Sequence, residues 1–350
     1  MNIVQVVKRY GPVGGMERYV WELSRELQAL GHQVTVLCER CHTDAPQGVR
    51  VVELGETAKR PRWLSQVRFS WRVTRWVQQN HSADRIIHSH ERLGVHDATT
   101  FHGPPFATIY EKGWWRFISI RVWVRLYLER RELETAKIIV PNSTFISRQL
   151  LHYYPEIAGK LSVPIAPGIL PIRQREPRSV PADGGIVCFV GWEWQRKGLA
   201  QAIDIVKALR HTRSHAELWV VGPDPAELEP LFADWNGGYR LLGWREDNDY
   251  FSEVDVLLHP ARAEPYGMVI SEAMAARVAV VISDVCGAAE HVPAEAGSVL
   301  PLTAPLETWL TALEQQLARI KPVPQFDRSW CRVAQEYEPI YRKILKAEFK

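Results

Sequence analysis

Long apolar runs are missing from this chain: none approaches the ~18–20 residues that a membrane-spanning helix needs. The first apolar stretch, Ile3–Val7, is cut off by Lys8 and Arg9, too short for the core of a secretory leader. Cysteine is scarce, odd in number and scattered, at Cys38, Cys41, Cys188, Cys286 and Cys331. That usage fits a reducing compartment better than a disulfide framework and makes the cytoplasm the expected location. Cys38 and Cys41 form a Cys-x-x-Cys, but no second pair follows at zinc-ribbon spacing. A free buried pair at a strand end is therefore expected rather than a metal or redox centre. Neither sign of charge dominates: the formal net charge is +3, and charged residues make up 24%, near the globular average, which argues against disorder.

What the chain does have is enough apolar material for two cores. Its 350 residues are 46% hydrophobic, and that length suggests two domains. The charge is unevenly divided. Residues 1–165 hold 23 Lys and Arg against 15 Asp and Glu, while the remainder holds 20 against 25. A β-branched strand at Ile3–Val7, the turn Gly11-Pro12-Val13-Gly14-Gly15, a helical apolar spacing over Met16–Leu30 and a strand at Gln33–Cys38 make a βαβ unit with a glycine-rich first turn. Strands are expected next at Val49–Leu54, Arg85–His88, Asp97–Phe101 and Lys137–Val140. Prolines then crowd residues 164–181 and mark a boundary near 165. The pattern restarts with strand Ile186–Val190, helix Gly198–Leu209 and strand Ala216–Val221. Further strands are expected at Arg240–Gly243, Val254–His259, Val278–Ile282 and Ser298–Pro301. Alternating β and α in both halves predicts two parallel-sheet domains, 1–165 and 166–328, followed by a terminal helix in 329–350.

The most informative stretch runs from His259 to Met274. An apolar strand enters it, a helix from Gly267 to Ala276 leaves it, and the loop between offers Gly267 and Met268 N–H groups at a helix N-terminus, where an anion is favoured. Glu264 in the loop and Glu272 on the helix could accept hydrogen bonds from sugar hydroxyls; each alone reads equally well as a solvated carboxylate. A second candidate lies in Gly191-Trp192-Glu193-Trp194-Gln195-Arg196-Lys197-Gly198, at the carboxyl edge of the second sheet, where open α/β sheets bind ligands. Arg196 can grip a phosphate bidentately and Lys197 can place a point charge. As a basic pair on the turn just before a helix start they would sit against the dipole by a few tenths of a kcal/mol, which makes an anionic ligand more plausible.

The form Glu-Pro-x-Gly-x-x-x-x-Glu-Ala over Glu264–Ala273 resembles the signature of glycosyltransferase family 4, retaining enzymes of the GT-B fold: α/β, with two Rossmann-like parallel-sheet domains facing across a cleft. Many members place an Arg directly after the glycine and a Lys five residues later. Here Trp192 takes the Arg position and Lys197 keeps the other. Arg196-Lys197-Gly198, Leu257-Leu258-His259-Pro260-Ala261 and Ala166-Pro167-Gly168-Ile169 are similar to segments of bacterial lipopolysaccharide-core α-glucosyltransferases.

The resemblance implies roles for these residues. Glu264 would hold donor-sugar hydroxyls and Glu272 the nucleotide ribose. Pro265, Tyr266, Gly267, Met268 and Val269 would line the donor, the last two through backbone only. Gly14-Gly15-Met16-Glu17-Arg18 resembles the first glycine loop, where bare backbone lets donor phosphate and acceptor approach a helix start, so Gly14, Gly15 and Glu17 join the site. Thr100-Phe101-His102-Gly103 matches a Thr-x-His-Gly motif whose His lies near the sugar, which selects His102. His88 and His90 are then strand-end residues; read without the resemblance, the histidine cluster could also be a metal site.

The family uses no Asp-x-Asp metal motif. Cations and helix dipoles would replace Mg²⁺ at the diphosphate, so neither metal nor other cofactor is expected. The leaving phosphate takes the acceptor's proton in front-face attack, and no nucleophilic carboxylate is assigned.

Residues 62–76 and 112–131, including Trp114, Trp115 and Arg116, interleave cations with aromatics. They could lie in a membrane interface, pack their rings inward, or, least favoured, meet nucleic acid. The expectation is therefore a monomeric hexosyltransferase, peripheral on the inner membrane face. It would use a nucleotide sugar, by subgroup resemblance a UDP-sugar, and a lipid-linked glycan acceptor such as lipopolysaccharide core. The alternatives are a nucleotide-sugar or sugar-phosphate processing enzyme on the same fold, or a non-catalytic membrane-associated scaffold.

Overall fold

The structure, a computed structural model, describes residues 1–57, 61–80, 82, 84–113, 117–245 and 247–348. The chain forms two compact units, one of residues 1–168 and 328–350, the other of 169–327.

The first unit is built on a parallel sheet. Its strands are β1 (Asn2–Val6), β3 (Gln33–Cys38), β5 (Val49–Glu53), β6 (Arg85–Ser89), β7 (Ala98–Phe101) and β8 (Ile138–Pro141), in the order β5-β3-β1-β6-β7-β8. Two-residue strands β2 (Arg9–Tyr10) and β4 (Arg40–Cys41) pair beside it. Helices α1 (Gly15–Ala29), α2 (Arg62–Gln79), α3 (Ile120–Thr135) and α4 (Thr144–Tyr153) make the crossovers. The central strands are near-continuous apolar runs because helices cover both sheet faces. Ile3, Val4 and Val6 are fully buried, and Val4 pairs with Thr35 on one side and Ile87 on the other.

In α1 the residues Tyr19, Val20, Leu23 and Leu27 face inward at helical spacing, and Gly31 at φ 84 ends the helix. The C-terminal helix, Trp330–Glu348, belongs to this unit. It buries Trp330, Val333, Ala334, Tyr337, Tyr341 and Ile344 along one stripe and packs on α1.

The second unit repeats the plan. Strands β9 (Gly184–Val190), β10 (His215–Val221), β11 (Tyr239–Gly243), β12 (Val256–His259), β13 (Ala279–Ser283) and β14 (Gly297–Leu300) run parallel in the order β11-β10-β9-β12-β13-β14. The helices are α5 (Trp194–Lys197), α6 (Leu199–Leu209), α7 (Pro225–Leu228), α8 (Met268–Ala275) and α9 (Leu306–Leu317). In chain order both sheets read 3-2-1-4-5-6, the doubly wound Rossmann arrangement. In such a sheet the chain reverses direction between strands 1 and 4, and a crevice opens at their carboxyl ends. In the second unit those strands are β9 and β12. They pair only at Val187–Val256 and Cys188–Leu257 before their loops diverge.

Candidate functional site

Two loops meet at that crevice. From the end of β9 the chain passes Gly191, Trp192 and Glu193 into the one-turn helix α5, and Gly198 at φ 84 separates α5 from α6. The basic pair therefore ends a short helix of its own instead of lying on a plain turn before α6. Arg196 and Lys197 sit at the carbonyl end of α5, which favours cations, while still preceding the start of α6. Gly198 has no alternative, since a Cβ there would lie 2.0 Å from the Pro260 carbonyl oxygen. That close approach knits the β9 loop to the β12 loop. Arg262 N–H donates to the Arg196 carbonyl at 2.9 Å, and the Arg196 guanidinium donates to the Ala263 carbonyl.

Glu264 lies at the centre, buried. Its carboxylate is 3.3 Å from Lys197 Nζ, 3.6 Å from Arg196 Nη1 and 3.4 Å from His259 Nε2. Burial by itself would raise this carboxyl's pKa. The hydrogen bond from His259 and the charges of Lys197 and Arg196 outweigh it and hold the pKa at about 2. His259 is pushed the other way by complete burial. It is therefore neutral, donates through Nε2, and leaves Nδ1 as a buried acceptor without a hydrogen-bond partner. Arg196 is also held by Glu193, at 2.7 and 3.1 Å. The result is a fixed carboxylate flanked by two cations.

Gly267, at φ 92, caps α8 and leaves the first N–H groups of that helix open toward the loop. Met268 is half-buried and Val269 buried, as suits backbone contacts. Tyr266 is anchored to the fold. Its side chain is buried with the hydroxyl 3.0 Å from Ser271 Oγ, and its carbonyl accepts from Ala288 N–H at 2.7 Å. Pro265 joins it to Glu264, and Glu272 is partly exposed on α8.

The other expected residues belong to the first unit. Gly14 precedes α1 in extended backbone at φ −171, which any residue adopts. Its constraint is crowding, because a Cβ would meet the Glu17 carboxylate at 2.4 Å. Gly15 has open space around its missing Cβ. Glu17 is engaged with Arg9, whose Nε donates at 2.9 Å. His102 follows β7 and lines a cavity of about 210 Å³ with His90, Glu91 and Arg92. His88 and His90 are more than isolated strand ends: His90 Nδ1 is 2.8 Å from His102 Nε2, and both nitrogens of His88 are hydrogen-bonded. Burial lowers the pKa of His88 and of His102 to about 3, and that of His90 well below the usual range.

Three features were not anticipated from the sequence. His259 props Glu264, and its only signal was a histidine ending an apolar strand. Glu91, half-buried beside the His102 cavity, has its carboxyl raised to about 7 by desolvation, against the Lys8 N–H it accepts at 3.2 Å. An Asp-x-Asp triplet does occur, at Asp247-Asn248-Asp249. Asp247 Oδ1 accepts from the Asp249 N–H at 3.2 Å to cap a 3₁₀ turn, and no cluster of metal-ligand type is present among the described residues. All five cysteines are free; Cys41 is half-exposed rather than buried, its thiol turned to the Thr43 carbonyl. Trp114, Trp115 and Arg116 lie outside the described residues.

Known proteins share the fold and family of this chain. Residues 13–170 match the model of Glycosyltransferase Family 4, and residues 184–319 match that of Glycosyl transferases group 1. The lipopolysaccharide glucosyltransferase WaaG of Escherichia coli K12 is 25% identical over 86% of this chain and 85% of its own. A phosphatidyl-myo-inositol mannosyltransferase of Mycolicibacterium smegmatis is 27% identical over 77% and 72%. Among solved structures, WaaG superposes with a TM-score of 0.77 at 19% identity over 99% and 98% of the two chains. Anabaena Alr3699/HepE, in complex with UDP and glucose, gives 0.71 at 16% over 98% and 100%. The fold is GT-B, and the chain belongs to the glycosyltransferases, its first half to family 4 and its second to group 1.

Proposed function

We propose that this protein transfers a hexose, with retention, from a nucleotide diphosphate sugar, UDP-linked as the subgroup resemblance suggests, to a lipid-linked cell-surface glycan such as lipopolysaccharide core. The observation that carries the reading is the ionised Glu264 held between Lys197 and Arg196 at the switch point of the second sheet. A diphosphate leaving group gains negative charge as the C1–O bond breaks. Lys197, Arg196 and the N–H groups opening α8 are fixed charges and dipoles suited to that charge. Glu264, kept ionised, accepts hydrogen bonds from sugar hydroxyls, and Glu272 does so from the ribose. The acceptor oxygen attacks on the face the phosphate leaves, its proton passing to the departing phosphate oxygen. No step in this scheme needs a metal.

The acceptor reading is supported by the first unit's surface. On α3, Ile120, Trp123 and Tyr127 are 71, 57 and 62% exposed, at i, i+3 and i+7 of one face, with Arg121 and Arg130 also exposed. Other members of the same segments turn inward: Phe69 and Val73 of α2 are buried, and Phe117 packs on the core below α3. The exposed face suits an anionic lipid interface, where rings sit at headgroup depth. No helix among the described residues is long and apolar enough to cross a membrane. We place the protein on the inner face of the cytoplasmic membrane, acting as a monomer.

Transfer assayed with excess EDTA should proceed at an unchanged rate. Lys197→Ala should lower kcat about 100-fold or more. A strict Mg²⁺ requirement, or full activity in Lys197→Ala, contradicts the assignment.

A further inference from the structure

Beneath His102 lies a continuous chain of buried polar groups, all within the first unit. His102 Nε2 is 2.8 Å from His90 Nδ1, and His90 Nε2 is 2.7 Å from Gln5 Oε1. Gln5 Nε2 donates to the Tyr341 hydroxyl at 3.1 Å, which is 2.8 Å from His88 Nδ1. His88 Nε2 is 2.7 Å from Thr100 Oγ1, Thr100 Oγ1 is 2.7 Å from the Tyr337 hydroxyl, and that is 2.9 Å from the Tyr19 hydroxyl. Gln5, His88, Tyr337 and Tyr341 are fully buried, and His90, Thr100 and Tyr19 nearly so.

Each link in this chain has one proton to share, so the polarity of any link dictates the next. A neutral imidazole has one donor and one acceptor nitrogen, and a hydroxyl can serve either way. Reversal of one link would therefore reverse every link on the same side of Gln5. Gln5 alone has ends of fixed character, an acceptor oxygen and a donor nitrogen. With Oε1 toward His90, the His90 proton must be on Nε2. His90 Nδ1 is then a lone pair, and His102 must supply the proton from its own Nε2. On the other side the Gln5 amide donates to Tyr341, Tyr341 donates to His88 Nδ1, and His88 donates to Thr100 through Nε2. The low pKa values of the three imidazoles keep the chain free of a second proton at neutral pH. His102 Nδ1 makes no hydrogen bond among the described residues and is not one of the buried polar atoms lacking a partner, so it keeps access to solvent.

We propose that Gln5, acting through His90, is a positioning residue that locks His102 in the tautomer protonated on Nε2, so that Nδ1 is an obligate hydrogen-bond acceptor for a hydroxyl of the sugar entering the cavity. The sugar part of this inference rests on the transferase reading; the tautomer part stands on the chain alone. His102 can take a hydroxyl proton into a hydrogen bond but cannot donate to a carbonyl or phosphate oxygen. The C-terminal helix, through Tyr341 and Tyr337, closes the other arm of the chain and helps to hold His88 beside the site.

Long-range ¹H–¹⁵N correlation on protein labelled at histidine reads each tautomer, with the signals of His88, His90 and His102 assigned by single replacements. The wild type should show all three protonated on Nε2. Protonation of His102 on Nδ1 overturns the proposal. Gln5→Glu, read at a pH high enough to ionise the buried carboxyl, presents acceptors at both ends. His90 and His102 should keep their tautomers while Tyr341 turns its proton to the carboxylate and His88 switches to Nδ1–H; all three reversing, or none changing, removes Gln5 as the selector. Gln5→Met, close in size but without polar ends, should let His102 populate both tautomers and cost about fivefold in kcat, the worth of one ordinary hydrogen bond, with donor-nucleotide affinity unchanged. Mixed tautomers with unchanged kcat remove His102 from the reaction. The wild-type spectrum decides the tautomer even if the transferase reading fails or a variant does not fold.

Discussion

Glu264 shows how a buried charge is tuned by its neighbours. Desolvation, His259, Lys197 and Arg196 act on it together, and the partners win, bringing the pKa from the ordinary 4.5 to about 2. A carboxyl depressed on folding stabilises the native state above its unfolded pKa, and that contribution is lost as pH falls through the folded value. The window here is pH 4.5 to 2. Glu264→Gln should therefore destabilise the protein at neutral pH and flatten the loss of stability across that window, as followed by urea titration at a series of pH values. An unchanged profile would mean that Glu264 is not ion-paired in solution. Glu264, Arg196 and Lys197 stood out in the sequence through the family-like segments that hold them, for a charged loop residue alone reads equally well as solvated. His259 was not legible, because a histidine ending an apolar strand looks like any core residue until the Glu264 carboxylate is seen 3.4 Å away.

At the scale of elements, the parallel strands were readable as apolar runs, since both faces of each sheet are covered. The one-turn helix α5 was not, because four residues show no periodicity, although the start of α6 at Gly198 was read. Gly198 combines φ 84 with a Cβ position 2.0 Å from a backbone oxygen, so alanine there must strain both loops of the site. Gly198→Ala should destabilise the second unit by at least about 2 kcal/mol and lower activity with it; a variant with the wild-type denaturation midpoint would contradict the close approach. The α3 stripe was legible only as an ambiguity, for interleaved Arg and Trp cannot show which rings turn inward. The structure divides them, burying Val122 and Leu126 while exposing Trp123 and Tyr127. Replacing Ile120, Trp123 and Tyr127 together by Ser should weaken binding to anionic liposomes without lowering the melting temperature. Unchanged liposome binding would remove α3 from the membrane reading.

On the scale of the whole molecule, one design is used twice: two sheets of the same strand order, each with candidate residues at the carboxyl ends of strands 1 and 4 in chain order, joined in the first unit by His102 after the fifth strand. In the second unit those ends carry Arg196, Lys197 and Glu264. In the first they lead to the glycine loop before α1 and to His90 and Glu91. The restart of β and α alternation after the proline-rich stretch made this doubling readable. The hydrogen-bond chain from His102 to the C-terminal helix was hidden because it joins residues as far apart as Gln5 and Tyr341. The central claim is that Lys197 and its neighbours bind a nucleotide diphosphate without metal. Calorimetric titration of a nucleotide and nucleotide-sugar panel in EDTA, on wild type and Lys197→Ala, tests it most directly. The account predicts tight binding of one diphosphate series, UDP foremost, that is lost in the variant. Binding that requires Mg²⁺, or that survives Lys197→Ala unchanged, would contradict it.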